Sequence, residues 1–355
     1  MVFTVVAGAD YERGFTVGKT HQLAVCRAVA ERRRLYHAVN PRVSELAGLL
    51  REKSIQVREA FPSVFAYLNG LADAAGFDME DFILVNFGAA GFNQKEGGCT
   101  IAAFDRSPDG TVVGGNLDDP PWHFLTFEKP DSGYKALFVS LPAHYARWGG
   151  MNEHGLCMTG ANGGPWLDGS PDEKSCLPSG MPSYPPVYDV LTRCRTVEEG
   201  IEMLKDNRYS PANYMLGDKN GAVQAEKRRD GTLDIFSGKD VKVLCGGNLR
   251  RKDFERHGYR GFSGSLSRAV HCRYRLARQL MAESEKDPGT EKMKYVLTHH
   301  GKSRESDAGN FGICHGGTSV SFIGVPAEKK ALVAFAPPCR SGYEEYLLNS
   351  LRQGA

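Results

Sequence analysis

The stretch NQKEGGCTIAAFDRSPDGTVVGGNLDD, residues 93–119, decides how the chain is read. CTIAAFDR and TVVGGNLD are short apolar runs joined by SPDG, a turn signature, so the segment predicts a β-hairpin. A small nucleophile, Cys99, follows Gly97 and Gly98 where a loop turns into the first strand. One explanation is packing, because cysteine most often behaves as a small buried apolar residue. The other is that the Gly98–Cys99 bond is cut and Cys99 becomes a new N-terminus. An α-amine titrates near pH 8, so it can act as a general base at neutral pH. Nucleophiles activated by their own terminal amine are an established variant of the catalytic triad. The preceding glycines would let the backbone adopt the bent geometry that self-cleavage requires. No histidine lies in the sixty residues before Cys99, and the first one after it is His123.

Outward from the hairpin, the periodicity divides the chain. Residues 10–82 read as helical. VSELAGLLREKSIQVREAF and VFAYLNGLADAAG space apolar residues by three and four, Val64, Leu68 and Leu71 share a face, and Gly76 is a plausible stop. YKALFVSLP reads as a strand, and ARWGGMNEHGLCMTGAN as two strands around NEHG. The glycine- and proline-rich segment 163–186 is too long for a simple connector and reads as a lid or binding loop. VYDVLTRCRTVEEGIEMLKD (187–206) is helical, with Thr196 capping a second segment and Glu199 three residues on. NYMLGD, GAVQAEKR and TLDIFSG are strands separated by KNG and RDG turns, and VKVLCGGN is another. HCRYRLARQLMAES and TEKMKYVLTHHG are helical, and TSVSFIGVPAEKKALVAFAPP is a closing hairpin. No internal repeat or linker divides residues 1–355, so one α+β domain with helices covering antiparallel sheets is expected.

Composition excludes several classes. The 355 residues carry 44 basic and 42 acidic side chains, a net charge of +2, which points to neither nucleic acid nor an anionic membrane. Clusters such as ERRR (31–34) and LRRKDFER (249–256) read as solvated faces. No run of about 18 apolar residues occurs, and the first residues lack the pattern of a signal peptide. The nine cysteines are widely spaced without a CxxC motif, so free thiols in a reducing, cytoplasmic compartment are expected.

Other polar residues gather at predicted strand ends. The SPDG turn folds Asp118 of GGNLDD back towards Cys99, although an aspartate before two prolines also suits a turn. Asn162 in TGANGG and Asn248 in CGGNLRR each follow an apolar strand beside glycines, where an amide can donate to an oxyanion, and where asparagine is also common in turns. Arg273 opens CRYRLARQL, where a surface role is the ordinary reading. His299-His300 and Cys314-His315 offer metal ligands, but no third and fourth appear at good spacing, so no metal is expected.

Taken together and in order, these motifs resemble the acyl-coenzyme A:6-aminopenicillanic acid acyltransferase family. That family groups with the choloylglycine hydrolases among the N-terminal nucleophile hydrolases. GADYERGFTVGKTH (8–21), GGCT, GGNLDD, WGGMNEHGLCMTGANGG, RYRLARQL and TSVSFIGVPAEKKALVAFAPPC carry the resemblance nearly end to end. It implies an αββα sandwich of two antiparallel sheets between helical layers. It also implies self-cleavage into residues 1–98 and 99–355, which stay associated. Carried onto this chain, Cys99 is the nucleophile and its freed amine the base. Asp118 holds that amine or the incoming group. Asn248 (side chain) and Asn162 (backbone N–H) stabilise the oxyanion, and Arg273 supports Cys99 and its carboxylate partner. Gly115 stands where the bile salt branch has an arginine, and Arg268 in SLSRAV competes with Arg273 for its role. Trp166 and Tyr184 are candidates to line an acyl pocket.

The resulting expectation is an amidohydrolase or acyltransferase without a cofactor. It would act on a small acyl amide or thioester through a thioacyl-enzyme, with water giving hydrolysis and an amine giving acyl transfer. Two other readings stay open: a cysteine hydrolase that never self-cleaves and uses His123, His144 or His154, and a binding protein that kept the fold without the chemistry.

Overall fold

The computed structural model describes residues 3–39, 43–87, 98–119, 122–161, 184–228, 230–241, 243–247, 251, 265–301 and 312–351. At its centre is the hairpin expected from the sequence. Strand β2 (Gly98–Phe104) pairs antiparallel with β3 (Val112–Asp118), in a register that sets Gly98 opposite Asp118 and Cys99 opposite Leu117. The turn between them is fixed locally. Ser107 Oγ donates to the Gly110 carbonyl and accepts from the Asp109 N–H, and Gly110 takes φ +81°, which glycine adopts without a Cβ clash.

This hairpin lies inside a six-stranded antiparallel sheet of order β11-β2-β3-β12-β13-β14. Its other members are β11 (Leu244–Gly247), β12 (Thr318–Val325), β13 (Lys330–Phe335) and β14 (Glu344–Leu347). A second, eight-stranded sheet runs β1-β4-β5-β6-β7-β8-β9-β10. It comprises β1 (Phe3–Gly8), β4 (Phe124–Pro130), β5 (Ala136–Ser140), β6 (Arg147–Asn152), β7 (Cys157–Ala161), β8 (Asn213–Asp218), β9 (Gly221–Lys227) and β10 (Leu233–Ser237). All its pairings are antiparallel except β1 with β4, which is parallel.

Alternation along the strands builds the layers, because successive side chains leave opposite faces. From β2, Ile101 and Ala103 enter the core between the sheets, with Val113 and Leu117 of β3, Trp148 of β6 and Phe322 of β12. Ala102 and Phe104 face the other way, onto helices α8 (Ser265–Glu283) and α9 (Thr290–Thr298). The outer face of the eight-stranded sheet is covered by α1 (Asp10–Thr20), α2 (Gln22–Val39), α3 (Val43–Ala60), α4 (Pro62–Ala75), α5 (Met79–Phe87), α6 (Val187–Arg193) and α7 (Val197–Leu204). The chain is therefore the αββα sandwich that the resemblance implies.

The helix signals in the sequence hold at two ends. Gly76 closes α4 in the left-handed conformation at φ +74°, and Thr196 caps α7 by accepting from the Glu199 N–H. α1 and α4 cross closely. A Cβ built on Gly14 would lie 2.0 Å from the Tyr67 carbonyl, and one on Gly70 2.1 Å from the Tyr11 carbonyl. The sequence reading omits β1, β4 and β14. β1 and β14 are sheet-edge strands, and β4 carries a fully buried Glu128 that disguises its core face. Among the described residues, no helix is long and apolar enough to cross a membrane.

Candidate active site

Cys99 is the second residue of β2, and its side chain packs against the core between the sheets, on the same face as Ile101 and Ala103. Beside it opens a cavity of about 100 Å³. Cys99, Asp118 and Asp119 line it, and Leu141, Trp148, Ala161, Val187 and Tyr214 supply apolar lining. Burial, then Asp118, then Asp119 push the Cys99 thiol up to about 12, outweighing the opposing backbone contact with Asp118 and the Trp148 side chain. At neutral pH such a sulfur is a protonated thiol with low nucleophilicity.

Asp118 ends β3 and is fully buried, and three residues brought from far along the chain surround it. Thr318, its neighbour across the β3–β12 pairing, donates its hydroxyl to Asp118 Oδ1 at 2.9 Å. His315 Nε2 lies 3.1 Å from Asp118 Oδ2, and Arg273 Nη1, from α8, lies 3.8 Å from the same oxygen. Arg273 Nη1 is also 3.2 Å from His315 Nε2. The Gly317 N–H donates to His315 Nδ1 at 3.0 Å, which fixes the ring in place. Asn116, one pleat from Asp118, donates to the carbonyls of Leu297 and Ile313 and ties the segment carrying His315 to the sheet.

The expected site residues are thus placed unevenly. The fold brings Cys99, Asp118 and Arg273 to one end of the six-stranded sheet. Asn162, Asn248, Trp166 and the side chain of Arg268 lie outside the described residues. Tyr184 is 4% exposed, with its hydroxyl donated to Asp189 at 2.7 Å and its ring edge-on to Phe61, Tyr145 and Tyr209; its neighbour Pro185 lines the cavity instead. A Cβ on Gly115 would come within 2.7 Å of the Thr100 carbonyl and 3.3 Å of Trp148, so this position has no room for a long side chain without rearrangement.

His123 pairs with Asp119 at 3.5 Å, and His154 stands edge-on to Tyr134. The histidine that reaches Asp118 is His315, which the sequence reading considers only as a metal ligand. The signal available is its place three residues before Thr318, where the closing hairpin starts. The partner strand of that hairpin cannot be assigned from local pattern alone.

No family model matches the chain, and no curated protein matches it. Among solved structures it is similar to penicillin V acylase from Agrobacterium tumefaciens, at 16% identity over 67% of this chain and 83% of that one, with a TM-score of 0.40. It is also similar to a single-residue variant of conjugated bile acid hydrolase from Clostridium perfringens, at 14% identity over 71% and 93%, with a TM-score of 0.44. A third is the Caenorhabditis elegans ortholog of N-acylethanolamine-hydrolyzing acid amidase, at 14% identity over 64% and 92%, with a TM-score of 0.42.

Proposed function

We propose that the chain is a self-processing cysteine N-terminal nucleophile enzyme that opens linear amides or acyl thioesters through a thioacyl-enzyme at Cys99. The observation that carries this reading is the register of β2 on β3. It sets the Gly98–Cys99 peptide against a buried Asp118 with a cavity alongside. In the precursor, Cys99 Sγ attacks the Gly98 carbonyl carbon, the C–N bond breaks, and the thiol proton passes to the departing amine. Water then hydrolyses the thioester, leaving a carboxylate on Gly98, a free thiol and a free α-amine. The three residues around Asp118 position it, and Asp118 in turn orients the new amine.

In the mature enzyme the α-amine takes the Cys99 thiol proton as sulfur attacks the acyl carbonyl, then returns it to the leaving amine or thiol. Asn162 and Asn248 are proposed as oxyanion donors. An apolar acyl group is favoured by the lining, and the one cation among the described lining residues, Arg147, is already committed to other partners. Its guanidinium donates to Glu128, to the Tyr67 hydroxyl and to backbone carbonyls.

Intact mass after fresh expression tests the reading. Wild type is expected as two fragments divided between Gly98 and Cys99, and Cys99→Ala as one chain. A wild-type chain that folds, hydrolyses acyl amides and stays whole would remove the α-amine from the mechanism.

A further inference from the structure

A second group of reactive side chains lies apart from the Cys99 cavity. His300 follows the C-terminus of α9, Cys314 precedes His315, and Cys339 sits in the short helix Pro338–Ser341 after β13. One ligand atom from each, a ring nitrogen and two sulfurs, lies within 4.8 Å of the others. Among the described residues, no other histidine, cysteine and carboxylate side chains form such a group. The two thiols are in hydrogen-bonding contact.

The backbone is built tightly around this point. The Cys314 N–H donates to the His299 carbonyl at 3.0 Å. A Cβ on Gly312 would lie 2.8 Å from the His300 carbonyl and 2.9 Å from that of Cys314, so only glycine lets these two segments approach. Ala336 holds φ +74° while its N–H donates to Ser319, which turns the chain into Pro337, Pro338 and Cys339. A non-glycine residue in that conformation is strained and persists where its surroundings impose it. Cys314 is buried, whereas His300 and Cys339 are exposed, so the group opens to solvent on one side.

We propose that His300, Cys314 and Cys339 form a binding site for a thiophilic divalent cation, with Zn²⁺ as the best match. Two thiolates and one imidazole suit zinc, with a fourth position left for water. Tetrahedral zinc with bonds near 2.3 Å to sulfur needs ligand atoms about 3.8 Å apart, so atoms lying within 4.8 Å of one another need side-chain shifts of no more than about 1 Å. Binding releases the two thiol protons to solvent and breaks no other bond. The ion would fasten the end of α9 to the turn after β13, next in sequence to the His315 that contacts Asp118. The linear sequence hides the site because its third ligand comes from 25 residues beyond Cys314.

The test uses the full chain, reduced with a non-thiol reductant, freed of metal and titrated with Co²⁺ and then Zn²⁺. Wild type is expected to bind one equivalent of Co²⁺ with a near-ultraviolet thiolate charge-transfer band, which Zn²⁺ abolishes by displacement. Cys339→Ser and His300→Ala alter exposed side chains and are expected to fold normally by circular dichroism. Each should weaken binding by at least about tenfold, since even outer-shell changes cost that much. Cys339→Ser should also diminish the charge-transfer band, and Cys26→Ser, in α2, should change nothing. Absence of the band in wild type, wild-type binding in either ligand variant, or a Cys314–Cys339 disulfide that persists under reductant without bound metal would each overturn the proposal.

Discussion

Two buried carboxylates, Glu128 and Asp118, sit in the same molecule with opposite surroundings. Glu128, on β4 beneath the helical layer, is saturated. Arg13 donates to one oxygen at 2.7 Å, and Arg147 and Thr126 to the other, at distances from 2.6 to 3.1 Å. Arg147 and Arg13 hold its carboxyl below the ordinary range in spite of complete burial. Asp118 has Thr318 on Oδ1, but its Oδ2 accepts no aligned hydrogen bond among the described residues, although His315 and Arg273 stand close. A saturated buried charge is structural, because little is left to interact with a ligand. A buried carboxylate with an oxygen that lacks an aligned hydrogen bond, beside a cavity and a thiol, keeps capacity for a new donor. In the proposed mechanism that donor is the α-amine freed at Cys99.

The sharpest way to break this contrast is to neutralise each carboxylate in turn. Glu128→Gln leaves Arg13 and Arg147 buried against a neutral amide, and removing one partner of a buried pair typically costs about 3–5 kcal/mol. Thermal and urea unfolding should show a loss of that size. Asp118→Asn should cost far less stability while stopping or slowing self-cleavage by about a hundredfold or more, an effect on the scale of losing a key electrostatic group in a transition state. Time-resolved intact mass beside the melts reads both quantities. If Asp118→Asn unfolds the chain and Glu128→Gln leaves it intact, the assignment of roles is reversed.

The two regions are also unequally legible in the sequence. Cys99, the SPDG turn and Asp118 lie within 20 residues, so local pattern alone places them on one hairpin. Arg273 enters through the resemblance to a family. His315 and Thr318 reach Asp118 only through the pairing of β12 with β3, a contact spanning about 200 residues that no local periodicity encodes. The Glu128 cluster escapes the sequence reading altogether. Its members, Arg13, Tyr67, Glu128 and Arg147, look like surface or edge residues until the helical layer folds over the sheet. Polar residues buried by tertiary pairing are what binary patterning reads as exposed.

The helical layer that seals the Glu128 cluster offers a smaller perturbation. Gly70→Ala would drive a Cβ into the Tyr11 carbonyl at 2.1 Å and force α1 and α4 apart. Overpacking of this kind costs about 1–3 kcal/mol. Because α1 carries Arg13 and α4 carries Tyr67, the loss should appear in melting temperature and in hydrogen exchange of α1. Self-cleavage at 25 °C should continue, since Asp118 belongs to the other sheet. Equal impairment of folding and cleavage would mean that the two regions are coupled.

The smallest expected effect comes from comparing two buried histidines. His315 lies against a carboxylate, whereas His21, at the end of α1, stacks on Phe124 with ring centroids 3.6 Å apart and has Thr4 Oγ1 at 3.0 Å from Nε2. Burial without a counter-ion pushes the His21 imidazole down from 6.5 to about 4. The folded state therefore favours the neutral ring, and the unfolded chain binds the extra proton between those values. His21 contributes its full stabilisation above pH 6.5, and that contribution declines as pH falls and is gone below about pH 4. Melting temperature should fall on acidification over this window. His21→Gln should be less stable at pH 7.5 but show a shallower acid slope, because the group that titrates differently in the two states has been removed. An unchanged slope would mean that other groups, His144 among them, carry the acid sensitivity, since burial pushes its imidazole down to about 3.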